Sequence, residues 1–116
     1  MAAATPINVR NVPQYAPISI NSNGDNTVVN AVTGQTIVVL GYVLVPPNNT
    51  AVTVTFKSGA STSLSGAMPI GGANNPPHLV APDADHGHFA TAAGQALVVN
   101  LSGASLVAGH LTYMLQ

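Results

Sequence analysis

The sequence predicts an all-β domain: a β-sandwich or jelly roll of about seven to eight antiparallel strands with an extended N-terminal arm. Three observations predict it. Short runs alternate apolar and polar residues at strand spacing. Clusters of turn-forming residues separate those runs. No window sets apolar residues at helical spacing with charges on the opposite side.

The runs follow in order. "TVVNAV" (27–32) and "TIVVLGYVLV" (36–45) are β-branched. The second is apolar on both faces, as a central strand is, and Gly41 interrupts it where a bulge or bend belongs. "VTVTFK" (52–57) alternates strictly, with Val52, Val54 and Phe56 on the inward face. "ALVVNLS" (96–102) directs Leu97, Val99 and Leu101 inward, and "HLTYMLQ" (110–116) directs Leu111, Tyr113 and Leu115 inward. Between the early and late runs lies "SGASTSLSGAMPIGGANNPP" (58–77), read as one edge strand at "TSLSGA" and then a long crossing loop. Residues 1–20 differ from the rest. Pro6, Pro13 and Pro17 exclude a helix interior, yet Ile7, Val9, Val12, Tyr15 and Ile18 are too apolar for a solvated tail. The organisation expected is therefore an extended arm over 1–20, lying on a neighbouring surface through those five residues, and a β-sandwich domain over 21–116. An edge strand of the chain's own sheet is the competing reading of the same segment.

Composition bounds the function. The chain has 116 residues, enough for one domain with its own core. Hydrophobic residues make up 47% and charged residues only 4%, where about 25% is usual. Arg10 and Lys57 are the only permanent cations, so nucleic-acid binding through counterion release is not expected. A surface so poor in charge points to one that ends against protein. Cysteine is absent, which excludes disulfides and thiolate chemistry. The longest apolar run, "IVVLGYVLV", is about half the length of a membrane helix. The opening "MAAATPINVR" has neither the cationic nor the apolar part of a secretion signal, so none is expected. The N-x-[ST] matches at Asn48 and Asn100 are then chance.

The one concentration of chemistry is "PDADHGHF" (82–89), which holds Asp83, Asp85, His86 and His88. Imidazole and carboxylate in that mixture suit zinc or another divalent metal. Structural zinc sites usually draw on two separated ligand pairs, however, and these four residues belong to one loop. His78 or His110 would have to complete the set. The reading is a polar loop tip, with no cofactor. An enzyme is not expected either. The nucleophile-elbow pattern is missing its second Gly in "GASTS" and "GASLV", there is no Glu, and no Gly-Lys-Ser/Thr phosphate loop occurs. With no Trp, two Phe and three Tyr, stacking platforms for sugars or single strands are poorly supplied.

The segments "GDNTVVNAVTGQTIVVLGYVLV", "VTVTFKSG", "LSGAMPI" and "HFATAAGQALVVNLSGASLVAGHLTYML" together resemble the small capsid decoration, or cement, proteins of tailed bacteriophages. The resemblance covers about residues 24–116 and is most specific at His88-Phe89, "TAAG" (91–94), "NLS" (100–102) and "GHLTY" (109–113). Members of that family often carry acids where this chain has Ala90 and Gln95. The resemblance implies a sandwich or jelly roll that binds and stabilises the outside of a capsid shell. Its implied partners are the major capsid protein and copies of itself, as dimer or trimer, with no membrane and no nucleic acid. Its implied place is the virion exterior, after synthesis in the bacterial cytoplasm. It implies no catalytic residues, and makes "DADHG" the tip of a loop leading into a strand near His88. A head-fibre or tail component, or a host- or sugar-binding module on the virion, is the alternative.

Overall fold

The computed structural model describes residues 11–46, 50–72, 77–83 and 85–116. The described residues form ten strands and no helix. In chain order the strands are β1 (Gln14–Ile20), β2 (Gly24–Val29), β3 (Ile37–Val45), β4 (Ala51–Ser58), β5 (Thr62–Ser63), β6 (Met68–Gly71), β7 (His78–Val80), β8 (Phe89–Ala90), β9 (Leu97–Leu101) and β10 (Val107–Leu115). They make two antiparallel sheets. One runs β1-β10-β3-β7, with β8 also pairing β3; the other runs β2-β9-β4-β5, with β6 also pairing β4. The segment count exceeds the seven to eight expected because two edge lanes are split. β7 and β8 share one edge of β3, and β5 and β6 share one edge of β4.

Period-two burial explains why these residues make these strands. β4 alternates without a break: Val52, Val54, Phe56 and Ser58 are buried, and the residues between them are not. All nine side chains expected to face inward from β4, β9 and β10 do so, each no more than 5% exposed. The two sheets share one apolar cluster, and three rings tie them together across it. Phe56 of β4 lies with its ring centroid 4.8 Å from that of Tyr42 on β3 and 5.0 Å from that of Phe89 on β8. Tilted pairs at such spacing add about 0.5–1.5 kcal/mol beyond the area they bury.

Gly41 marks a register shift. The ladder with β10 pairs Thr112 with Gly41 and Tyr113 with Val39, leaving Leu40 as the extra residue. Leu40 faces outward with Val38, and joins it and Met114 in a second small buried cluster, while the bulge resets the alternation so that Tyr42 and Leu44 again face inward. A Cβ on Gly41 would lie 2.7 Å from the Val80 carbonyl oxygen and 2.8 Å from the Pro82 nitrogen, so the chain crossing here requires glycine.

The boundary expected at residue 20 does not hold for the described part of the arm. Gln14–Ile20 is β1, an edge strand of the chain's own sheet, in register with β10 from Gln14↔Tyr113 to Ile20↔Val107. Ala16, Ile18 and Ile20 point into the core, so Ile18, at 2% exposure, is not free to touch a neighbour. The physical reason is that residues 16, 18 and 20 alternate as a half-buried strand does, and an edge lane tolerates Pro17. Val12 and Tyr15 are exposed, as a contact role needs. Ile7 and Val9 lie outside the described residues.

Two stability outcomes follow from this packing. Phe56→Ala should cost about 3–5 kcal/mol, as removal of a fully buried ring does. That is a large part of the roughly 5–15 kcal/mol that holds a small domain, so denaturant titration should show a much earlier midpoint with the same cooperativity. A chain beginning at residue 21 should fail to give a cooperative thermal transition. It lacks β1 and the burial of Ile18 and Ile20, each worth about 1.5–3 kcal/mol. A cooperative melt near that of the whole chain would return the segment to the status of a detachable arm.

Candidate functional site

The loop richest in titratable groups is built around backbone closure. The Asp83 amide donates to the Leu40 carbonyl (2.9 Å), and the His88 amide to the Val39 carbonyl (2.8 Å), so both loop ends are tied to the edge of β3. Between them the Asp83 Oδ1 accepts from the amides of Asp85 (3.2 Å) and His86 (3.3 Å), an Asx-type turn. The Gly87 amide donates to the Asp83 carbonyl (2.8 Å). The His88 Nε2 lies 2.9 Å from the Ala81 carbonyl oxygen and joins the two stems. Asp83 and His88 thus have local partners, while Asp85 and His86 are exposed. Among the described residues no three His, Asp or Glu side chains converge where a metal could be held. His110 belongs to the outer face of the sheet, and His78 pairs opposite Leu44.

The loop also covers something. Gly87 has φ +70°, and a Cβ there would come within 2.5 Å of Val38 Cγ1 and 3.1 Å of the Val39 carbonyl oxygen. The polar segment therefore lies flat against the outward cluster of Val38, Leu40 and Met114, and shields it from water.

The remaining candidates are surfaces, since the described residues enclose no pocket. The two outer faces differ in kind. On the β2-β9-β4 sheet, Asp25, Asn100 and Thr55 align across three strands. The Lys57 Nζ reaches Asp25 Oδ1 at 3.0 Å, and the Asn100 amide donates to the same oxygen at 2.8 Å. The Asn100 hydrogen bond, and after it the Lys57 ammonium, hold the Asp25 carboxyl below its usual 3.8. Their stabilisation is present above that pH and is lost as pH falls through the lowered value. A solvated pair of this kind contributes little.

The strands of the other outer face carry no formal charge; the acids on this side, Asp83 and Asp85, belong to the loop that lies over Val38. None of the described strands β1, β10, β3, β7 and β8 contains Asp, Glu, Lys or Arg. One row across it reads Pro17, His110, Val43, Leu79, and the rows on either side contain Tyr15 with Thr112 and Ser19 with Ala108 and Val45. Tyr15 is 76% exposed, Leu79 72% and Val45 46%. Sequence reasoning found Tyr15 but missed Val45 and Leu79. The signal was present in β3, whose outward residues are as apolar as its inward ones.

No protein-family model, curated protein or solved structure matches this chain.

The loop's role makes a contrast measurable. Gly87→Ala should cost about 2–4 kcal/mol, from a left-handed non-glycine residue and an overpacked contact with Val38. His86→Ala should change stability by less than about 0.5 kcal/mol. Equal thermal shifts in the two variants would show that the loop tip does not cover the outer cluster.

Proposed function

We propose that this protein is a virion structural protein that binds the outside of a phage capsid shell and stabilises it, a decoration or cement protein. The observation that carries the reading is the strand order. The order within the two sheets, β1-β10-β3-β7/β8 and β2-β9-β4-β5/β6, supports reading the chain path as two interlocked Greek keys. We read the fold accordingly as a jelly-roll β-sandwich, an architecture that recurs in viral capsid proteins. The argument from architecture is joined by the resemblance of residues 24–116 to decoration proteins and by the scarcity of charge.

In this reading the protein has no catalytic residues and no cofactor. Its partners are the major capsid protein and copies of itself. Many copies bind one symmetric shell, so each contact needs only modest affinity. Decorated shells then resist rupture because adjoining capsomers are bridged from outside. Val12 and Tyr15 are exposed and available to such a neighbour.

Purified shells with and without the bound protein provide the test. Decorated shells should release their genome at a higher temperature and survive a steeper osmotic drop. Release under identical conditions would remove the cementing function, and a fibre or host-binding role would replace it.

A further inference from the structure

We infer that the uncharged outer face of the β1-β10-β3-β7 sheet is a two-fold contact, in which it packs face to face against the same sheet of a second copy of this chain. The inference supplies the copy-to-copy partner of the reading above, yet it is tested on the free protein and does not need the shell.

The charge distribution selects the partner. Around a two-fold axis the same patch meets itself, so a side chain near the axis faces its own copy. Any charge there faces a like charge, at a cost that a contact with a different protein avoids by placing an opposite charge across it. A face meant for another protein therefore has no reason to be empty of charge. A face meant for itself does. Here every charged residue of the described strands, Asp25 and Lys57, belongs to the opposite sheet.

The edges of this sheet make poor alternatives. β1 carries Pro17 at its middle, and the lane on the far side of β3 is broken between β7 and β8 by residues 81–88. Proline and interrupted lanes are the devices that prevent edge-to-edge pairing. The face itself is low beside Ala108 and Pro17, which keep the surface close to the backbone. Another sheet can then approach to about 10 Å, the ordinary face-to-face spacing.

The size fits a weak contact. Three lanes about 4.8 Å apart with outward rows about 6.8 Å apart, extended by Leu79 on the short β7, make up the open area. With side chains raised above the sheet, that is about 400–450 Å² of accessible area per copy, or about 800–900 Å² in all, the range of weak, transient contacts. The other end of the same outer face, at Val38, Leu40 and Met114, is closed by the chain's own loop. What stays open is the half that carries Tyr15, Val45 and Leu79.

His110 is the probe. It is exposed on a central strand of the sheet, between Pro17 and Val43, so a two-fold axis through the face brings it near its own copy. Sedimentation velocity of the full chain should show a reversible monomer–dimer equilibrium with a midpoint in the range of about 1–100 μM. His110→Glu and His110→Lys should each weaken it at least tenfold, with melting temperatures close to that of the parent. Mixed in equal amounts, the two variants should recover the dimer. Thr27→Glu, on the outer face of the opposite sheet, should leave it unchanged. A parent chain monomeric throughout that range, dimers of parental strength in both His110 variants, or loss of the dimer in Thr27→Glu would each overturn the inference. If the parent is monomeric and His110→Glu instead fails to bind shells, the face belongs to the shell and the decoration reading survives alone. A dimer that behaves as described but binds no shell would uphold the inference and remove that reading.

Discussion

Strand β3 has no side to give to water, and the rest of the molecule is arranged around that fact. All nine of its residues are Ile, Val, Leu, Tyr or Gly, and seven of the nine are buried on one face or the other. Its inward residues are met by β4 and β8 through the Phe56, Tyr42 and Phe89 rings. Its ladder is filled by β10 on one side and by β7 and β8 on the other. Outward, Val38 and Leu40 form with Met114 an apolar patch that the loop around Gly87 covers. A strand buried on both faces is usual under helices. In a chain without described helices, the inner face is covered by the opposite sheet and part of the outer face by a loop.

That division of labour gives the polar loop its meaning. Asp83 and His88 are spent on a turn and on stem closure, while its glycine allows the backbone to lie directly on Val38. Polar side chains point away and the main chain supplies the contact. The opposite sheet has the more ordinary design, an alternating strand with Thr53, Thr55 and Lys57 outward and an ion pair on its surface.

Alternation made β4, β9 and β10 legible in the sequence, because a strict period of two has only one inward set. Gly41 was legible too, since a lone glycine within an apolar strand has few other uses. β1 was harder. Its prolines resemble those of a linker, and its partner β10 lies almost a whole chain away. β7 and β8 are three and two residues long, too short to show any period, and exist because β3 offers them an edge. The shielding role of the loop around Gly87 depends on which strand it crosses, and its polar side chains read as a list point instead toward metal or catalysis. The uncharged face could not be read from any one segment. It emerges only when β1, β10, β3 and β7 are placed side by side.

The position of β10 has a bearing on synthesis. It is the last strand in the chain and yet lies inside its sheet, between β1 and β3. β1, made first, has no ladder partner until residues 107–115 have emerged from the ribosome, and β3 lacks its longest one. Contacts between segments so far apart in sequence form late and slowly. Until then the wholly apolar β3 has only the short β7 and β8 to pair with, and one of its edges stays open. A polypeptide that stops before residue 107 cannot close this sheet.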